Sequence, residues 1–126
     1  MELKQNKLRQ IEIGKRRGWI VYFLYTAKPM PLSFNVLIEL LDSRNMPLTC
    51  RRFADKLDYL RGVGFVRVFR IGENRELSNV EQAQLIQTYC ENDGEGGDNY
   101  GATLSSKGIN YHDGHFEEVG VSRINN

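Results

Sequence analysis

The stretch from Leu48 to Val68, LTCRRFADKLDYLRGVGFVRV, constrains the fold of this chain more than any other part of the sequence. Thr49 is a residue type that caps helix N-termini. Apolar residues follow it at i, i+4 and i+7 spacing: Phe53, Leu57 and Leu60. Gly62 and Gly64 end this helix, and residues 65–70 are rich in the β-branched and aromatic types found in strands. The segment therefore predicts a capped helix over 50–61, a glycine turn and a strand.

Two further helices are predicted before this segment. Residues 3–27 carry apolar side chains at partial helical spacing, but Gly14 and Gly18 each cost a helix about 1 kcal/mol relative to Ala. We therefore expect a break near Gly14 or two separate helices. Ser33 is a suitable cap for a second helix over 34–43, whose buried face holds three leucines: Leu37, Leu40 and Leu41.

A second strand, Tyr100 to Leu104, returns after a long insertion over residues 72–99. Within the insertion, Ser78 and Glu81 form a capping-box pattern that predicts a short helix from Val80 to about Cys90. Its expected anchors are Val80, Leu85, Ile86 and Tyr89. The glycine-rich acidic residues 92–99 are predicted to form a flexible, solvated loop at the wing tip.

These elements together predict an α+β fold, a winged helix-turn-helix with a three-helix core and a β-hairpin wing that carries a helical, acidic insertion. The predicted organisation is a helical arm over 1–14, a winged-helix domain over 15–114 with its wing insertion at 72–99, and an irregular tail over 115–126. Three roles are open for the arm: it is mobile, it packs on a second subunit to make a homodimer, or it meets phosphate through Lys4, Lys7 and Arg9.

Charge is divided unevenly along the chain. Residues 1–70 hold fourteen Lys and Arg against six Asp and Glu, a balance of +8, whereas residues 71–126 hold three against ten, a balance of −7. The overall charge of +1 hides this asymmetry. Because the basic half also carries the helix-turn-helix pattern, the asymmetry favours double-stranded DNA as the partner.

The candidate DNA contacts lie on the third helix, the turn before it and the wing. A helix of this kind fits the major groove, where Arg suits both guanine edges and phosphate oxygens. Arg51, Arg52 and Lys56 are predicted on the outer face of the helix, with Tyr59 beside them. The remaining candidates are Arg44 and Asn45 in the turn, Thr49 at the helix start, and Arg67, Arg70 and Arg75 on or near the wing.

Other kinds of site find little support in the sequence. His112 and His115 lack nearby cysteines for a metal site and are predicted to lie in a surface turn. Asp93, Glu95 and Asp98 do not match a calcium loop. We predict no enzyme activity, cofactor, metal or membrane contact. The two cysteines show no paired spacing, which with the charged N-terminus predicts a reducing, cytosolic compartment.

The chain resembles winged-helix repressors of the multiple-antibiotic-resistance and PadR types, and more closely a small family of Mu-like prophage proteins. The matching residues are Leu48-Thr49, Phe53, Leu57, Leu60, Gly64-Phe65-Val66, Ala102-Thr103-Leu104, Lys107-Gly108, Gly114, Gly120-Val121 and Arg123. The chain departs from the family at Asn110, where an acidic residue is usual, at Ile124, where proline is usual, and in its longer insertion. The resemblance implies a phage-encoded, DNA-binding protein of the host cytoplasm.

Two functions remain open at this point. The first is a transcriptional regulator that contacts DNA with the helix over 50–61 and with the wing. The alternative is a protein-interaction module or phage structural accessory domain that uses the same scaffold without binding DNA, because the acidic insertion and tail offer a surface unlike a DNA contact.

Overall fold

In a computed structural model that describes residues 2–124, the helices and strands follow the predicted order, with one strand, β1 (Leu32–Ser33), that was not predicted. Met1 of the predicted arm and Asn125 and Asn126 of the predicted tail lie outside the described residues. Helices are α1 (Glu2–Ala27), α2 (Phe34–Ser43), α3 (Cys50–Gly62), α4 (Asn79–Glu91) and α5 (Ser106–His112). Strands are β1 (Leu32–Ser33), β2 (Val66–Arg70) and β3 (Tyr100–Leu104). The predicted α+β class is confirmed.

The predicted helix starts are confirmed by their caps. The Ser33 hydroxyl accepts a hydrogen bond from the Val36 amide at 3.1 Å. At the start of α4, the Ser78 hydroxyl accepts from the Glu81 amide at 3.2 Å, and the Glu81 carboxylate accepts from the Ser78 amide at 3.1 Å. Each cap satisfies amides that the helix itself cannot pair, so the sequence sets where these helices begin.

The sheet is antiparallel with the order β1-β3-β2. Strands β2 and β3 pair along their whole length, from Val66 opposite Leu104 to Arg70 opposite Tyr100. This pairing confirms the predicted hairpin. The core lies between the sheet and the helices, and its fully buried side chains include Phe34, Leu37, Leu41, Phe53, Leu57, Leu60 and Phe65.

Helix α4 closes the core from the side of β2. Leu85, Ile86 and Tyr89 are buried as predicted, but the expected anchor Val80 is 66% exposed, and Leu77 and Gln82 are buried in its place. The Gln82 side-chain oxygen accepts a hydrogen bond from the Val68 amide at 3.1 Å, and its nitrogen donates to the Leu77 carbonyl at 3.1 Å. Because β2 is an edge strand, Gln82 pairs an amide that no strand reaches.

Residues 92–99, predicted to form a flexible, solvated wing-tip loop, form turns that pack against the start of α2. Residues Gly97–Asn99 form a short 3-10 helix, and Gly97 is buried. The Asn35 side chain at the start of α2 donates a hydrogen bond to the Asp98 carboxylate at 2.9 Å. These contacts hold the segment against α2 on its way from the end of α4 to the central strand of the sheet.

Helix α1 is continuous from Glu2 to Ala27, so the expected break near Gly14 is also wrong. The two glycines make room for the C-terminal tail. A Cβ at Gly18 would lie 1.9 Å from the Ser122 carbonyl oxygen, and one at Gly14 would lie 3.1 Å from the Ser122 hydroxyl. The Ser122 amide donates to the Gly14 carbonyl at 3.0 Å. The lost helix propensity is therefore offset by a backbone contact.

The tail itself has no helix or strand over its described residues 115–124, as predicted, yet it is held in place. Val121 is buried, and its carbonyl accepts a hydrogen bond from the Tyr111 hydroxyl at 2.5 Å. The Arg17 guanidinium donates to the Gly120 carbonyl at 3.1 Å. Hydrogen bonds to side chains therefore replace a regular backbone ladder in this segment.

His112 ends α5 half-buried against α1, so its predicted place in a surface turn is wrong. Its ring lies 4.2 Å from the Tyr25 ring, and its Nδ1 is buried without a hydrogen-bond partner among residues 2–124. Burial lowers the pKa of His112 below 6.5, with Arg123 and Lys28 adding to this effect and Asp113 opposing it.

Replacing Gly18 with Ala should destabilise the protein by roughly 1–3 kcal/mol, although Ala is the better helix former, because the new Cβ meets the tail backbone. Gly62→Ala is the matched control, since a Cβ there meets nothing within 4 Å. Urea unfolding of both variants measures the difference. Equal or greater stability in Gly18→Ala would show that the tail does not lie on α1.

Acid should weaken the fold through His112. Because its folded-state pKa lies below 6.5, the unfolded chain takes up the proton first as pH falls, so stability is full above about pH 6.5 and is lost below it. His112→Phe should reduce the fall in melting temperature between about pH 7.5 and pH 5. His115→Phe, at an exposed position, serves as the control and should leave that fall unchanged.

Candidate nucleic-acid interface

The turn between α2 and α3 holds the first candidate residues in a fixed geometry. Asn45 adopts a left-handed conformation with φ of 60°, and its amide donates to the Asp42 carbonyl at 3.0 Å. The Thr49 hydroxyl accepts from the Arg52 amide at 3.2 Å, which confirms Thr49 as the cap of α3. Asn45 and Thr49 are both exposed, but the Thr49 hydroxyl is already engaged in capping. The main role of the Thr49 side chain is therefore to cap α3.

Three arginines near this turn point into solvent, as predicted: Arg44, Arg51 and Arg52. The Arg44 guanidinium lies 4.7 Å from the centre of the Trp19 ring. Within residues 2–124, none of the three has a carboxylate within 4.0 Å, whereas six other basic side chains do. These guanidiniums therefore remain available to an anionic partner.

The prediction that Lys56 lies on the outer face of α3 is wrong. Lys56 is only 8% exposed because α1 crosses over this side of α3. Burial lowers the pKa of Lys56, and the nearby Arg16, Arg17 and Arg52 lower it further while Asp55 opposes them. The ammonium thus lies in a strongly positive environment that the spacing along α3 alone does not reveal.

Tyr59, also predicted on the outer face, is half-buried under the same cover. The Arg17 guanidinium lies 3.5 Å from its ring centre, and its hydroxyl donates to the Glu118 carboxylate at 3.1 Å. Burial raises the pKa of Tyr59, and the bond to Glu118 raises it further. Tyr59 therefore joins α3 to α1 and to the tail, and it is not a surface contact.

The wing arginines are largely occupied by acids of the insertion. Arg67 forms an ion pair with Glu76, and Arg75 pairs with Glu81 at 2.7 Å. Arg70 is exposed, and its guanidinium lies 5.5 Å from the Tyr100 ring centre. The structure therefore does not gather Arg67, Arg70 and Arg75 with the arginines of α3 into one unpaired basic surface.

An acidic turn lies beside the start of α3. Its exposed carboxylates belong to Glu91, Asp93, Glu95 and Asp98. Gly94 in this turn lies so close to α3 that a Cβ on it would come within 2.9 Å of the Cys50 Cβ. Helix α3 therefore runs between an acidic side, made by α4 and this turn, and a basic side made by α1.

The basic side contains a cleft that the sequence pattern did not predict. We call this the basic cleft; it has a volume of about 590 Å³ and lies between the first half of α1 and α3. Its lining residues are Leu8, Arg9, Glu12, Ile13, Arg16, Leu48, Arg52 and Lys56. The one sequence signal was the seven-residue spacing of Arg9 and Arg16, which places both on one face of an unbroken helix.

No protein-family model, curated protein or solved structure matches this chain. Over residues 2–124, none of the helices combines the length and apolarity that crossing a membrane requires. The same residues bring no three histidine, cysteine or carboxylate side chains together in a way that could hold a metal ion.

Replacing Lys56 with Met should raise the free energy of unfolding by about 1 kcal/mol. Met keeps the length of the buried stem but removes an ammonium that three guanidiniums repel and that forms no ion pair with a carboxylate of residues 2–124. Lys107→Met, at an exposed position, is the control and should change stability by less than about 0.5 kcal/mol. A large loss of stability in Lys56→Met would mean that the ammonium has a stabilising partner.

Proposed function

We propose that this protein is a winged helix-turn-helix DNA-binding protein that acts as a transcriptional regulator. The order of elements supports this proposal, since a short strand precedes α2, α3 follows a tight turn, and β2 and β3 form a hairpin after α3. In the sheet, β3 lies between β1 and β2, which sets the hairpin directly beside the helix-turn-helix. A helix placed in this way can enter the major groove.

The single observation that carries the proposal is the set of unpaired guanidiniums at Arg44, Arg51 and Arg52. Ion pairing with carboxylates of the same chain would oppose phosphate binding, and these three side chains are free of it within the described residues. Arg51 and Arg52 lie in the first turn of α3, the part of such a helix that reaches base edges. Arg44 extends the basic surface along the turn.

The structure narrows the proposed contact surface relative to the sequence prediction. Lys56 is buried, and Arg67 and Arg75 are paired, so we place the DNA along the N-terminal part of α3 and the exposed basic residues of α1. Exposed Asp55 and Asp58 further along α3 disfavour contact by its C-terminal half. Binding is therefore expected to be moderate in strength and centred on the start of α3.

The first half of α1 supports a homodimer. Leu8 and Ile11 are 56% and 50% exposed on a helix that extends beyond the core. Apolar side chains of this size on a projecting helix are suited to pairing with a second copy. A dimer would present two copies of α3 to the two halves of an inverted repeat.

The double variant Arg51→Ala, Arg52→Ala should weaken duplex binding by about 10- to 100-fold. It should also reduce the slope of log K against log salt concentration by the amount expected for the loss of about two phosphate contacts. Fluorescence anisotropy with fragments selected from a random DNA pool, at several concentrations between about 50 and 200 mM salt, measures both effects. The change follows from the loss of two unpaired guanidiniums at the protein–DNA contact.

The matched control is the double variant Arg67→Ala, Arg75→Ala, which removes the same charge from positions that already pair with Glu76 and Glu81. Its affinity for DNA should change little. Equal losses in the two double variants would mean that binding follows total charge, and binding that does not respond to salt would contradict phosphate contact altogether.

The alternative function, a protein-interaction or phage accessory module without DNA binding, is favoured by the acidic turn. Its backbone lies against Cys50 at the start of α3, and Asp98 is held by a hydrogen bond from the Asn35 side chain. Such a surface suits a basic partner protein. If no selected DNA fragment binds at low salt, and a basic partner is lost on neutralising Asp93 and Glu95, this alternative replaces the first.

A further inference from the structure

We propose that the basic cleft between α1 and α3 binds the terminal phosphate of a small phosphorylated molecule. The observation behind this proposal is a buried lysine at the base of a cleft whose lining holds three further cations: Arg9, Arg16 and Arg52. The inference goes beyond DNA binding and does not depend on it.

Lys56 is the deciding side chain. It lines the basic cleft with only 8% of its surface exposed, and within residues 2–124 no carboxylate lies within 4.0 Å of its ammonium and no protein group accepts a hydrogen bond from it. Enclosing most of a lysine side chain beside three guanidiniums is unfavourable, and perturbed cations of this kind cluster at functional sites. An anion in the cleft would provide the missing partner.

The charge of the cleft favours phosphate over carboxylate. Its lining holds four cations and one carboxylate, Glu12, which already pairs with Arg16 at 3.0 Å. The remaining positive charge exceeds what a monoanion neutralises, whereas a phosphate dianion matches it more closely. Guanidiniums also present paired N–H groups that fit phosphate oxygens.

The shape of the cleft favours a terminal phosphate over a phosphodiester in a nucleic-acid backbone. Only a small group can approach Lys56, because so little of that side chain is exposed, and a backbone phosphate carries a sugar on both sides. Leu8, Ile13 and Leu48 provide an apolar wall in a volume of about 590 Å³. That volume accommodates a small molecule with an apolar portion beside its phosphate.

Isothermal titration calorimetry of the full chain in a phosphate-free, low-salt buffer tests the proposal with three probes: inorganic phosphate, phenyl phosphate and benzoate. We expect binding of phenyl phosphate at a 1:1 ratio, about tenfold or more tighter than that of benzoate because of its second charge. Inorganic phosphate should bind more weakly than phenyl phosphate, since it cannot use the apolar wall.

Variants locate the site. Lys56→Met should abolish phenyl phosphate binding, and Arg52→Gln should weaken it about tenfold. Arg51→Gln is the matched control, because Arg51 is the neighbouring exposed arginine but is not among the residues that line the cleft. The affinity of this variant for phenyl phosphate should equal that of the unaltered protein. Arg52→Gln alters an exposed side chain, so its result does not depend on tolerance of a change in the core.

Equal affinity in the Lys56→Met, Arg51→Gln and unaltered proteins, or no heat with either phosphate, would overturn the proposal. A blunt DNA duplex without terminal phosphates separates the two sources of phosphate. If that duplex binds in a way that depends on Lys56 while phenyl phosphate does not bind, the cleft is a backbone contact and the proposal is wrong. Phenyl phosphate binding in a protein that binds no duplex would uphold it without the DNA-binding function.

Discussion

The crossing of the C-terminal tail over α1 is the contact on which the rest of the structure depends. The Ser122 amide bonds to the Gly14 carbonyl at 3.0 Å, and Gly18 has no room for a Cβ beneath the Ser122 carbonyl. Arg17, one residue before Gly18, bonds to the Gly120 carbonyl and lies over the Tyr59 ring of α3. The same few residues therefore hold the tail, α1 and α3 together, so the position of α1 on α3 is set by backbone contact as well as by apolar packing.

The electrostatics of α3 follow from that arrangement. An unbroken α1 carries Arg9 and Arg16 along one side of α3 and covers Lys56, which becomes a buried cation instead of a surface one. On the other side, the acidic turn that follows α4 lies beside Cys50 at the start of α3, and Glu76 and Glu81 pair with Arg67 and Arg75. The basic surface is therefore displaced from the wing toward α1, and both the proposed DNA contact and the proposed phosphate site lie on that side.

The insertion between β2 and β3 packs on the core. Strand β2 is an edge, and Gln82 of α4 accepts a hydrogen bond from the Val68 amide that would otherwise be unpaired. Once Gln82 is fixed there, Leu85, Ile86 and Tyr89 enter the core, and the chain must return past α2 to reach β3. A segment whose composition is typical of a solvated loop is thus held against α2 and α3, through the bond from Asn35 to Asp98 and the close approach of Gly94 to Cys50.

The sequence predicted correctly those features that depend on interactions between residues close together in the chain. The caps at Ser33, Thr49 and Ser78 are confirmed. Each cap is a local interaction, because the hydroxyl accepts a hydrogen bond from the amide three residues later, whatever the rest of the chain does. The continuity of α1 and the burial of Lys56 on α3 were not predicted correctly from local signals. The roles of Gly14, Gly18 and Lys56 depend on partners about a hundred residues away or on another helix. From the sequence alone, the two glycines predict a broken helix and Lys56 predicts a surface charge. Only the contacts of the tail and of α1 show otherwise. Gly18 is therefore the position where long-range packing outweighs helix propensity, and Lys56 is the cation whose burial that packing produces.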